Sequence, residues 1–234
     1  GASVGAARVV PALLGVLSIA LTYVLFQRWC SPKAALIACV LLALNLGHVF
    51  FSQSVRYYTA ALVFQTLSLG WFCDGFERDR PWSLAASLVS FVLALLTHFS
   101  ALLLVPVFVG YLGLMVMARV TEAGYRIRNY LLFGVPLVLI LMGFTFRFLQ
   151  LRDMVGGWVI PAQRDPIHTA LTVAAYFTPA LLALATLAPL LARQLPPRIL
   201  VFLLCGAFIP LAELVVIAQL NIINVTWYYG FIAL

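Results

Sequence analysis

Charge is what this sequence has least of. Only 9% of its 234 residues are Asp, Glu, Lys or Arg, seven acidic against fourteen basic, while 65% are hydrophobic. Soluble domains carry about 25% charged and roughly 45–50% apolar residues, so this composition excludes an ordinary water-solvated surface. Cysteine is scarce and unpatterned. Cys30, Cys39, Cys73 and Cys205 show no C-x-x-C or metal-ligand spacing, so they read as packing thiols, with no disulfide expected. Blocks of like charge are missing too. The basic residues stand singly or in pairs at the ends of apolar runs, as membrane anchors do, and no nucleic-acid partner is expected despite the net charge of +7.

What remains is a succession of apolar runs, each to be compared with the about 20 residues a membrane-crossing helix needs. Runs at 9–26 and 34–51 are joined by Gln27-Arg28-Trp29-Cys30-Ser31-Pro32-Lys33, a short exposed turn. The next run, 57–72, leaves through the charged residues 74–81, which read as a solvated loop. Residues 82–117 hold no acidic or basic side chain but His98 and are too long for one span. They are expected to reverse at Thr97-His98-Phe99-Ser100, giving helices over 82–96 and 99–117. Further spans follow at 130–146, 167–192 (with Pro179 and Pro189 as kinks) and 199–219, and another run begins near Trp227. Residues 151–166, with Gly156-Gly157 and Pro161, read as an ordered loop. The expectation is an all-α, polytopic helical bundle of eight complete spans and a truncated ninth. It forms a single transmembrane domain over 1–234 and is a fragment of a longer chain, since Gly1 is not an initiator methionine and Leu234 stops within an apolar run.

Alternating the loops puts Arg28, Lys33, Arg78, Arg80, Arg119, Arg126, Arg128, Arg193 and Arg198 on one side, and Arg8, Arg56, Arg147, Arg152 and Arg164 on the other. The richer side is cytoplasmic by the positive-inside bias. Arg56, His98, the 151–166 loop, His168 and Trp227-Tyr228-Tyr229 then share the outer face, where a site facing the periplasm or exterior is expected.

Within that face the stretch Phe51-Ser52-Gln53-Ser54-Val55-Arg56-Tyr57-Tyr58 sets an arginine between aromatic rings at the membrane boundary. Either Arg56 snorkels to ordinary headgroups, or its planar fork clamps a lipid-linked phosphate positioned by Tyr57 or Tyr58, with Gln53 one turn away as a further donor. His98 is either a junction histidine bonded to a neighbouring carbonyl or a ligand for phosphate or a sugar hydroxyl. His48 and His168 share its face without metal-ligand spacing, so no cofactor is indicated and a divalent cation stays open. Asp153 and Asp165, beside Arg152 and Arg164, read as loop ion pairs or as part of a substrate cleft. Glu213 lies inside a span, where an ionisable group is costly and a function is the default hypothesis.

The chain resembles the dolichyl-phosphate-mannose protein mannosyltransferase-like family of the C-type (GT-C) glycosyltransferase superfamily, in its bacterial form. The resemblance is carried by Arg8 with Pro11 and Gly15, Tyr23, Ala34-Ala35, the 51–58 stretch and Leu96-Thr97-His98-Phe99, over about residues 8–117. It implies a multi-pass protein of the bacterial inner membrane that moves a sugar from a polyprenyl-phosphate donor to a lipid, glycan or protein acceptor outside the cytoplasm. Arg56, Tyr57 and His98 map to the donor side. An inverting mechanism is implied, with the acceptor activated by an acidic residue of the first outer loop, expected upstream of Gly1. Where many relatives have Arg-Tyr, this chain has Trp227-Tyr228, and Arg164 is the candidate substitute. A different class stays open beside it: a secondary transporter or lipid flippase with Glu213, Pro179 and Pro189 along a broken-helix path. A non-catalytic membrane scaffold is the third possibility.

Overall fold

The computed structural model describes residues 4–29, 31–117, 127–155, 200–201, 204–206 and 209, and every regular element among them is helical. α1 (Val4–Trp29) is followed by α2 (Pro32–Leu44), α3 (Leu46–Gln53), α4 (Tyr58–Glu77) and α5 (Pro81–Thr97). A 3-10 segment (Phe99–Leu103) leads into α6 (Leu104–Met117), and α7 (Ile127–Val155) comes last. Three helical stretches are long and apolar enough to cross a membrane: Gly5–Trp29, Ser100–Met117 and Ile127–Thr145. This is a helical membrane protein. The number of spans among the described residues is three, or four with α2 and α3 taken as one broken span. The expected span at 167–192 and nearly all of that at 199–219 lie outside the described residues.

Local chemistry explains most boundaries. Ser31 caps α2 by accepting from Ala34 N at 3.2 Å, and Pro32 opens that helix, where a missing N–H does no harm. Pro81 opens α5 in the same way. The run expected as one span over 34–51 is instead broken, its halves meeting at 62°. Asn45 is the reason: its backbone is extended, its N–H returns to Leu42 O (3.1 Å), and its Oδ1 accepts from His48 N (3.0 Å). One buried residue thus serves both helix ends, its backbone N–H that of α2 and its side-chain oxygen that of α3, which makes a break tolerable at this depth.

Residues 74–81 correct a second expectation. The helix continues through Glu77, and Asp74 is buried. Its carboxylate meets Arg78 Nη1 at 2.9 Å, Arg80 Nη1 at 3.7 Å and the Ser83 hydroxyl at 2.9 Å. Charges that read as solvated are partnered within the protein, so the helix need not end before them. The turn itself passes through Asp79, in the left-handed region at φ 53°, a conformation that Asp tolerates better than most residues. Asp79 Oδ1 accepts from Arg128 Nη2 (2.8 Å) and Asn129 Nδ2 (2.9 Å), tying α7 to the α4–α5 turn. A third correction is at the end of α7: residues 151–155, expected as the start of a loop, are helical.

Between these ends α4, α5, α6 and α7 enclose an aromatic core. Phe72 lies 4.6 Å from Phe108 and 5.0 Å from Phe133, which stands edge-on to Phe108 at 5.3 Å. Lipid tails are as apolar as these rings, so helix association here depends on close packing and interhelical hydrogen bonds. Both are present between α4 and α5. Ser68 donates to Ser87 O at 3.0 Å and Ser87 returns a bond to Ser68 O at 2.8 Å. At Gly75 a Cβ would collide with Leu84, so glycine lets the two backbones approach.

Candidate functional site

The site lies at the end of the bundle opposite Asp79, where α3 gives way to α4. Phe50 O and Phe51 O, near the end of α3, accept from Ser54 Oγ (2.9 Å) and Ser54 N (3.2 Å). Arg56 N then bonds Ser54 O at 2.8 Å. These bonds fold 54–57 into a tight turn that leaves Arg56 exposed. Tyr57 stands at the N-cap of α4 and supplies no side-chain cap. The first N–H groups of a helix have no intrahelical partner and carry its positive dipole end, so this turn favours an anion beside Arg56.

Three aromatic rings and an imidazole form the floor. Tyr58, 3% exposed, packs against Phe51 (4.7 Å) and Tyr57 (4.9 Å), and its hydroxyl is 3.4 Å from Arg56 Nη1. His98 arrives from the α5–α6 junction. Its ring is stacked on Tyr57 at 5.1 Å and 25°, and it lies 5.7 Å from Tyr58. The junction is bonded tightly: His98 N to Ala94 O (2.7 Å), Ala101 N to His98 O (3.2 Å) and Ser100 N to His98 Nδ1 (3.1 Å). A ring nitrogen that accepts from an N–H carries no proton, so the neutral imidazole holds its hydrogen on Nε2. Burial agrees, lowering the His98 pKa to about 4. His98 is therefore a neutral hydrogen-bonding group at physiological pH.

The polar lining continues inward. Gln65 Nε2 donates to Ser100 Oγ at 3.3 Å, linking α4 to the 3-10 segment. Thr59 Oγ1 is fully buried and has no hydrogen-bond partner among the described residues. A helical threonine usually bonds the carbonyl four residues back, which here belongs to Val55, before α4 begins.

Of the expected site residues, Arg56, Tyr57, Tyr58 and His98 come together. Gln53 ends α3, exposed, on the other side of the turn. Asp153 is in the last turn of α7. Arg164, Asp165, His168, Glu213, Trp227 and Tyr228 lie outside the described residues. His48 belongs elsewhere: its Nε2 is 2.9 Å from the Ser18 hydroxyl of α1, against the spot where Gly15 leaves room for Ser52. Gln65 and Ser100 were not expected at the site. The spacing of Tyr58 and Gln65, seven residues on one helix, is the signal that places both on one face. Among the described residues no three His, Cys, Asp or Glu side chains converge as a metal site would require, and Cys39, Cys73 and Cys205 are buried and unbridged.

Comparison with family models, with curated proteins and with solved structures finds no match to this chain.

Proposed function

We propose that the protein is a membrane glycosyltransferase, of GT-C type, using a polyprenyl-phosphate sugar as donor on the periplasmic or outer face of a bacterial inner membrane. One observation supports this above the rest: an exposed arginine at the uncapped start of α4, floored by Tyr57, Tyr58 and a neutral histidine from some forty residues away. A prenyl-phosphate sugar has a tail that stays in lipid and a charged head at the interface, which such a corner suits. In the transfer, an acceptor hydroxyl oxygen bonds the anomeric carbon as its bond to the phosphate oxygen breaks. The bonding pair leaves with the polyprenyl phosphate, and the acceptor proton passes to a carboxylate, which is assigned to no described residue. Negative charge grows on the leaving phosphate, so Arg56 stabilises the transition state more than the ground state. The acceptor is a lipid, glycan or protein.

The test is transfer from radiolabelled polyprenyl-phosphate sugars in membranes containing the full-length protein. Label moving into an acceptor, and lost in Arg56→Ala, is the expected result; transfer that is unaffected by Arg56→Ala overturns the clamp.

The broken α2–α3 helix favours a second reading as a transporter or flippase, since interrupted helices line many substrate paths. Lipid-linked sugar that crosses proteoliposome membranes without a new glycosidic bond would select it.

A further inference from the structure

We propose that the outward face of Tyr57 is a carbohydrate-stacking platform, on which the sugar ring of a glycosyl phosphate lies while its phosphate meets Arg56. The proposal rests on the donor reading above and adds a seat for the transferred group.

Exposure sorts the rings of the floor into layers. Tyr58 is 3% exposed and His98 8%, whereas Tyr57 is 49% exposed. His98 is stacked against one face of the Tyr57 ring, and about half of the residue's surface stays open to a ligand. Tyr58 buttresses it at 4.9 Å. A ring held by two neighbouring rings loses little freedom when a ligand settles on it, which lowers the cost of binding.

The chemistry of the open face fits a sugar better than a simple headgroup. An aromatic face carries the negative side of the ring quadrupole. The apolar face of a pyranose presents C–H bonds polarised by neighbouring oxygens, so it is attracted there. His98 behind the ring is neutral, as its Nδ1 accepts from Ser100 N, and so withdraws no charge from that face. Spacing also fits. Arg56 and Tyr57 are consecutive and both exposed, and in a glycosyl phosphate the ring and the phosphorus are separated by a single bridging oxygen. One such ligand can therefore meet both residues, while a bare phosphate leaves the Tyr57 ring unused.

The test measures binding, independent of turnover. The full-length protein in nanodiscs is titrated with a C15 polyprenyl phosphate and with the same lipid carrying β-glucose or β-mannose, and thermal unfolding monitors the fold. The glycosylated lipids are expected to bind more tightly than the bare one. Tyr57→Leu should weaken at least one glycosylated lipid about five- to tenfold, the worth of one ring contact, while bare-lipid affinity holds within about twofold. Tyr57→Phe, which keeps the ring, should recover most of the difference. Should Tyr57→Leu unfold, Tyr57→Trp carries the test: the larger ring should raise glycosylated-lipid affinity alone, and an equal effect on both lipids overturns the platform. Equal affinity of the wild type for bare and glycosylated lipids, or equal weakening of both by Tyr57→Leu, also overturns the platform and leaves the donor reading standing. Absence of binding of all three lipids to the wild type overturns the donor reading and the platform with it.

Discussion

The two ends of the bundle use their arginines differently. Around Asp74 and Asp79, Arg78, Arg80 and Arg128 meet carboxylates, and Tyr111 donates to Glu77 at 3.0 Å. Cation and anion come from the same chain there, and the result is a weld between α4, α5, α6 and α7. Around Arg56 the contacts include a phenol oxygen, that of Tyr58, and rings and a neutral imidazole stand nearby. One end is internally neutralised. The other sets an exposed arginine just before the start of a helix, which the donor reading assigns to an anion from outside the protein.

The largest expected effects exchange the roles of the two ends. Arg56→Ala should lower sugar transfer about a hundredfold or more, as removal of one leaving-group stabiliser does, with an unchanged melting temperature. Asp74→Ala should do the opposite, destabilising by about 2 kcal/mol while transfer per folded molecule stays near wild type. Loss of activity in both, in proportion to unfolding, would erase the distinction.

Next in size are the glycines that fit the helices together. Gly75→Ala at the α4–α5 crossing should cost about 1–3 kcal/mol through overpacking against Leu84. Gly113→Ala on α6 meets nothing within 4 Å and should be neutral or slightly stabilising. Chemical denaturation of both variants in the same detergent makes the comparison, and equal destabilisation would contradict the helix packing.

A pH series isolates His98. Its folded pKa of about 4 lies below the ordinary 6.5, so between those values the unfolded chain takes up a proton that the folded one refuses. Stability from a neutral His98 is therefore complete above about pH 6.5 and is lost as pH falls toward 4. Wild type and His98→Gln, compared by thermal unfolding, should converge toward low pH. Parallel curves would mean that His98 titrates normally. Smallest of all, Arg128→Ala should change stability by about 0.5 kcal/mol or less, because the guanidinium is half exposed and Asn129 still donates to Asp79.

Much of the architecture was legible in the sequence because its signals are local. Apolar run length gave helices near 9–26, 82–96 and 99–117, and Thr97-His98-Phe99-Ser100 marked the reversal; Pro32 and Pro81, expected in the connections, open helices instead. The grouping of Arg56 with His98 was legible as well, since alternating spans bring the 51–58 turn and the 97–100 junction to one side. Other features were hidden. Asn45 lies in a run without charge, and nothing local says that its backbone N–H and its side-chain oxygen will serve two helix ends. His48 was expected on the site's face, yet on a helix tilted by 62° it points to Ser18.

By itself the sequence determined that this is a helical membrane protein and roughly where several of its helices run, because hydrophobic length acts within a few residues of its cause. Tertiary structure alone decided where a helix could bear a charge or a break. Asp74 stays helical because Arg78 and Ser83 are within reach, and α2 stops at Asn45 because its backbone N–H closes that helix while its side-chain oxygen caps the next. Tyr57 is held in place because a histidine from the α5–α6 junction is stacked against it. In each case the partner is supplied by packing, and a buried polar group is tolerable only once that partner is in place.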